Sequence, residues 1–139
     1  MPRRYVLEDQ VGHLLRRAHQ RATQIFLETF DEAGLTPTQW AALARLGEEG
    51  AASQNHLGRL TAMDPATVQG VIQRLEKRGL IDREPDPDDR RRTRLKLTAE
   101  GAELVAHRTA DGAKVSALTL APLTAEEAET FLDMLKKLA

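Results

Sequence analysis

Apolar residues at Val11, Leu14, Leu15, Ala18, Ala22, Ile25, Phe26 and Phe30 recur at three- and four-residue intervals, which predicts an amphipathic helix over Leu7 to Phe30, ended by Gly34. In "LTPTQWAALARLGEEG", Thr36 is placed to cap a second helix, with Pro37 in its first turn and Gln39 as capping-box partner. Leu43 and Leu46 form its apolar side, and Gly50 stops it. Ser53 caps a third helix that carries Leu57 and Leu60 inward and ends near Met63, because Asp64-Pro65 restarts the chain. The fourth runs from that Asp64 cap to Arg78 and is closed by Gly79. Its Val68, Val71, Ile72 and Leu75 form one stripe. Ala66, Gly70, Gln73, Arg74 and Lys77 are left facing away, flanked by Thr67 and Gln69.

After Gly79 the period shortens. "LIDRE" reads as a strand, "PDPDD" as turn chemistry, and Thr93, Leu95 and Leu97 alternate with Arg94 and Lys96 as a half-buried strand does. Together they predict a hairpin with Arg90, Arg91 and Arg92 at its tip. Thr98 then opens a long helix through roughly Leu118, Pro122 breaks it, and Thr124 with Glu127 caps a last helix bearing Ala128, Phe131, Leu132, Leu135 and Leu138.

Composition narrows the class. With 139 residues, 41% hydrophobic and 29% charged, the chain fits one globular domain. The absence of cysteine excludes disulfides and thiolate-held zinc. No apolar run has the length of a signal peptide core or a membrane span, so a cytoplasmic location is expected. The net charge of -1 hides an asymmetry: Arg74 to Lys96 holds nine Lys or Arg against six Asp or Glu, whereas Glu100 to Ala139 holds four against seven. A locally basic face on a nearly neutral chain is what contact with nucleic acid at one surface requires.

Two short helices joined by a tight turn, the second with a polar and basic outer face, followed by an arginine-tipped hairpin, make a mainly α, winged helix-turn-helix plan. A helix fits the major groove, where Gln can pair with adenine and Arg with guanine, and an arginine at a hairpin tip can enter the minor groove. The candidate DNA-binding residues are Ala66, Thr67, Gln69, Gly70, Gln73, Arg74 and Lys77 on the helix, with Asp89, Arg90, Arg91 and Arg92 on the wing. Gly70 costs a helix about 0.8 to 1 kcal/mol relative to alanine. Its presence is therefore read as a close approach, either to DNA or to a neighbouring helix.

Residues Asp64 to Gly101, "DPATVQGVIQRLEKRGLIDREPDPDDRRRTRLKLTAEG", resemble the recognition helix and wing of the MarR family of bacterial transcription regulators. The resemblance lies in Asp89-Arg90-Arg91, Leu97-Thr98 and Gly101, and extends over the chain through "LTPTQWAAL" and "SQNHLGRL". It implies a single MarR-type domain over 1–139, with a winged-helix DNA-binding lobe at 36–98 and a helical dimerisation lobe at 1–35 and 99–139. It also implies a homodimer on a pseudo-palindromic operator. Arg91 would reach the minor groove, Asp89 would orient it, and Arg90 and Arg92 would lie near phosphates. Family habit further implies a repressor released by a small, often aromatic, acidic effector. The candidate effector residues are Gly12, Arg16 and His19, on one flank of the first helix, together with Trp40.

Histidines 13, 19, 56 and 107 are scattered, with no metal-ligand or nucleophile motif. Neither an enzyme, a metal nor a cofactor is therefore expected. The alternative from another class is a winged-helix protein interaction module that presents the same basic surface to an acidic protein.

Overall fold

The computed structural model describes all 139 residues, and its elements run α1 (Val11–Thr29), α2 (Pro37–Glu49), α3 (Gln54–Leu60), α4 (Pro65–Lys77), β1 (Ile81–Pro85), β2 (Thr93–Leu97), α5 (Ala99–Leu120) and α6 (Ala125–Leu138). Short 3-10 turns at Leu7–Asp9 and Asp31–Ala33 bracket α1. The chain forms two compact units, one of Met1–Phe30 with Asp111–Ala139 and one of Asp31–Ala110, so the division runs inside α5. No helix is long and apolar enough to cross a membrane.

In the unit formed by Asp31–Ala110, the capping chemistry fixes where each helix begins. Thr36 Oγ1 accepts from the Gln39 amide while the Gln39 side chain accepts from the Thr36 amide, a reciprocal box with Pro37 in the first turn. Ser53 and Asp64 cap α3 and α4 more simply, each accepting one bond, from the amides of His56 and Thr67, with no reciprocal side-chain bond. Helix α3 stops at Leu60, short of the expected Met63, because the Thr61 hydroxyl takes up the Leu57 carbonyl and Ala62 turns into the left-handed region at φ 55°.

Ala42, Leu43, Leu46, Leu57, Val68, Val71, Ile72, Leu75, Leu80, Ile81 and Leu95 form the buried apolar centre of this unit. Each fully buried Val, Ile or Leu contributes about 1.5 to 3 kcal/mol relative to exposure. The strands pair antiparallel, from Ile81 opposite Leu97 to Pro85 opposite Thr93. Ala52, in the loop before α3, exchanges both backbone hydrogen bonds with Leu95, at 3.0 and 2.7 Å. That bridge stitches the wing to the helix-turn-helix. At the hairpin base, Thr98 donates its hydroxyl to the Gly79 carbonyl and its amide to the Leu80 carbonyl, and Gly101 passes so close to Leu80 that only a glycine fits.

The other unit holds α1, α6 and the last part of α5. Here the helix starts later than periodicity suggested: Leu7–Asp9 is a 3-10 turn and α1 opens at Val11, with no side-chain cap from the extended Gln10. Phe26 and Phe30 are buried and stacked, ring centroids 4.2 Å apart. Arg21 donates to the carbonyls of Leu118 and Thr119 at the end of α5. Val11, Leu14 and Leu15 on α1, with Phe131, Leu132, Met134 and Leu138 on α6, remain exposed although they are the apolar faces of their helices. Among them lies a hollow of about 420 Å³ lined by Leu14, Leu15, Ala18, Phe131, Met134 and Leu138.

Candidate nucleic-acid interface

Helix α4 owes its start to Asp64, whose carboxylate accepts from the Thr67 amide at 2.8 Å. That hydrogen bond holds the Asp64 carboxyl below the usual aspartate range. With Val68, Val71, Ile72 and Leu75 buried, the opposite face presents Ala66, Thr67, Gln69, Gln73, Arg74 and Lys77 to solvent, with Gly70 half-exposed among them. A β-carbon at Gly70 would meet only Nη1 of Arg74, 3.3 Å away. No neighbouring helix approaches it, so that half of the sequence expectation is corrected: Gly70 sits on an open surface.

The wing tip is built by its aspartates. The Asp86 amide donates to the Arg92 carbonyl and the Arg92 amide to the Asp89 carbonyl, both at 2.9 Å, while Asp86 Oδ1 accepts from the Asp88 amide. Asp and Asn favour such self-bonded turns because their short side chains reach a backbone amide two residues on. Asp89 does so with Arg91, and its Oδ1 also accepts from Arg91 Nε at 3.2 Å. Its other oxygen lies 3.8 Å from Arg92 Nε. One carboxylate therefore aims two guanidinium groups, leaving their outer nitrogens free, and the Arg91 side chain is 92% exposed. Arg90 is exposed and has no acidic partner.

Below the tip the strand cations are paired. Glu84 accepts from Arg94 Nε at 2.6 Å and lies 2.8 Å from Lys96 Nζ, and the hydrogen bonds from Lys96 and Arg94 hold its carboxyl below the usual glutamate range. Arg83 Nε donates to Glu76 Oε1 at 2.9 Å, and its Nη2 reaches Gln54 Oε1 at 3.4 Å. Sequence reasoning did not single out Glu76, Arg83, Glu84 or Gln54. The available signal was register: once the hairpin is drawn, Glu84 stands directly opposite Arg94.

Gly12, Arg16 and His19 all lie exposed on α1, where Arg16 Nη2 is 3.4 Å from His13 Nδ1. Trp40 belongs to the other compact unit. It is half-buried and lines an apolar hollow of about 370 Å³ with Ala44, Gly47, Leu97, Val105 and Thr109. No three His, Asp or Glu side chains come together as a metal-holding group.

A family model described as MarR family matches residues 33–92. The HTH-type transcriptional repressor NicR of Pseudomonas putida is 39% identical over 134 residues, 96% of this chain and 85% of that protein. A crystal structure of a probable transcriptional regulator from Pseudomonas aeruginosa, 48% identical, superposes with a TM-score of 0.92 over 96% of this chain and 100% of its own. BpsR of Bordetella bronchiseptica, whose DNA binding is regulated by 6-hydroxynicotinic acid, is 38% identical with a TM-score of 0.92, covering 98% and 97% of the two chains.

Proposed function

Because the chain belongs to the MarR family of transcriptional regulators, we propose that it is a homodimeric repressor that leaves its operator when a small aromatic acid binds. The observation that carries the DNA-binding part is the arrangement of charge. The outer face of α4 carries no free carboxylate, its one flanking acid, Glu76, being paired with Arg83, and the wing holds its unpaired cationic nitrogens at one tip. In this reading Gln69, Gln73, Arg74 and Lys77 meet the major groove, with Ala66, Thr67 and Gly70 close to the duplex. Arg91, aimed by Asp89, enters the minor groove, and Arg90 and Arg92 lie near phosphates. No catalytic role is assigned, and the site of action is the cytoplasm.

The dimer reading rests on the exposed apolar faces of α1 and α6. Contiguous exposed apolar surface of this kind marks association sites. Two-fold symmetry then requires an operator with half-sites about 10 bp apart. For the effector, support comes from the exposed Arg16 and His19 beside Gly12 on α1, which suit an anionic group; within the other unit, Trp40 lines an apolar hollow that suits a ring. The regulation of BpsR by 6-hydroxynicotinic acid points to the same ligand class.

Selection of bound duplexes from a random library tests the reading. A two-fold symmetric winner is expected. Arg91→Ala should weaken it and make the slope of log affinity against log salt shallower by about 0.9 for every phosphate that the arginine neutralises. Addition of 6-hydroxynicotinic acid or a related aromatic carboxylate should release the duplex, and Arg16→Ala or His19→Ala should blunt that release. No enriched duplex, with only weak salt-sensitive binding, would instead favour an acidic protein partner for the same surface.

A further inference from the structure

We infer that Arg83 is a positioning residue for DNA recognition, bridging the wing to the recognition helix through Glu76 instead of contacting phosphate, an inference that rests on the DNA-binding reading above. Parity along the hairpin is the starting point. Arg83 stands opposite Leu95, and Ile81 stands opposite Leu97. Ile81 and Leu95 are each only 1% exposed. Opposed residues of an antiparallel pair share a face, so Arg83 occupies a position on the core-facing side of β1. Arg83 nevertheless remains exposed beyond the edge of the core, its side chain 41% accessible, so its guanidinium is held in place by its polar partners and not by burial.

Its partners span the DNA-binding lobe. The Nε–Glu76 bond at 2.9 Å joins β1 to α4, and the Nη2–Gln54 bond at 3.4 Å reaches the first residue of α3. One planar guanidinium thus ties together three elements, a geometry that a lysine ammonium does not reproduce. Glu76 is also the only carboxylate within α4, and Arg83 offsets its charge on the helix offered to DNA. A pair this exposed adds little to global stability. What it fixes is the distance between the reading helix and the wing, and so the spacing of the major- and minor-groove contacts.

The two roles for Arg83 predict opposite behaviour of Glu76. If Arg83 only met phosphate, removing a nearby carboxylate would leave binding unchanged or strengthen it. If the pair is a strut, losing either end has the same effect. The experiment measures affinity of the full-length wild type, Arg83→Ala, Glu76→Ala, the double variant and Arg83→Lys for the selected duplex and a scrambled one, each at several salt concentrations. Each single alanine variant is expected to weaken the selected duplex about fivefold per protomer, within the range of coupling between contacting residues. The scrambled duplex and the salt slope should be unaffected, the double variant should be no weaker than either single one, and Arg83→Lys should recover part of the affinity.

Far-UV circular dichroism identifies any variant that does not fold, and Gln54→Ala, which removes only the outer end of the bridge, should then show a smaller effect of the same kind. The bridge is overturned if Glu76→Ala binds as well as wild type or better, or if Arg83→Ala weakens both duplexes alike and lowers the salt slope. A wild-type chain that enriches no duplex overturns both this inference and the DNA-binding reading. One that enriches a duplex which all variants bind equally overturns the bridge alone.

Discussion

Replacing Gly101 by alanine should destabilise the protein, although the same change in an unencumbered helix stabilises it. Gly101 lies in the first turn of α5, where its amide donates to Thr98 Oγ1 at 3.0 Å. A β-carbon there would overlap the Leu80 carbonyl oxygen and stand 3.0 Å from the Leu80 carbonyl carbon. Backbone cannot rotate aside as a side-chain tip can, so the start of α5 and the residue before β1 must separate. Forcing extra volume into a packed site costs about 1 to 3 kcal/mol, and an overlap with backbone belongs at the upper end. The Leu80 carbonyl also accepts from the Thr98 amide at 3.1 Å, and stretching that bond adds about 1 kcal/mol. Helix propensity returns about 1 kcal/mol, leaving a net destabilisation of about 3 kcal/mol. Urea denaturation followed by circular dichroism, at matched protein concentration, reads this directly. An alanine variant as stable as the wild type would refute the reasoning, because the close approach would then impose no constraint on the hairpin base.

Gly70→Ala should have the opposite sign. Its β-carbon meets only the movable end of Arg74, so the variant should gain about 0.8 to 1 kcal/mol in the same urea assay. If its affinity for the selected duplex also stays unchanged, the duplex does not approach Gly70 closely. Glu84 sets a pH dependence. Lys96 and Arg94 lower its pKa in the folded state, so its contribution to stability is present above the unfolded glutamate pKa of about 4.3 and is lost as pH falls through the lower folded value. Glu84→Gln should therefore make stability fall less steeply on acidification below that point, and an unaltered acid limb would show that the carboxylate carries no folding linkage.

Much of the fold is legible because its signals are local. Thr36, Ser53, Asp64 and Thr124 each act within three residues of their own position, and all four cap where the sequence places them. The stripe of Val68, Val71, Ile72 and Leu75 faces the core as its spacing requires. Less legible are interactions set by tertiary geometry. The proximity of Gly101 to Leu80 joins residues far apart in sequence, and the Arg83–Glu76–Gln54 bridge depends on where three elements end. The apolar face of α1 misleads in a different way. Periodicity correctly marks Val11, Leu14 and Leu15 as one side of a helix, yet it cannot distinguish a side that meets its own chain from one left for another. For the wing, the aspartates look like turn formers in the sequence, and the hydrogen bonds of Asp86 and Asp89 have that form. The division of arginines into aimed and unpaired emerges only from the geometry of the tip.

The pairing of Arg83, Arg94 and Lys96 with Glu76 and Glu84 also bears on how quickly the regulator can search a chromosome. Non-specific residence on DNA grows with the number of phosphates neutralised, because each displaced counterion adds to the entropy of binding. Cations already committed to carboxylates displace few. If these three cations per protomer lie on the surface offered to DNA, a dimer carrying them would spend less time on each wrong stretch and return sooner to solution. Its occupancy is then decided by the ratio of operator to competing affinity, the quantity that matters when wrong sites outnumber the right one by about a millionfold or more.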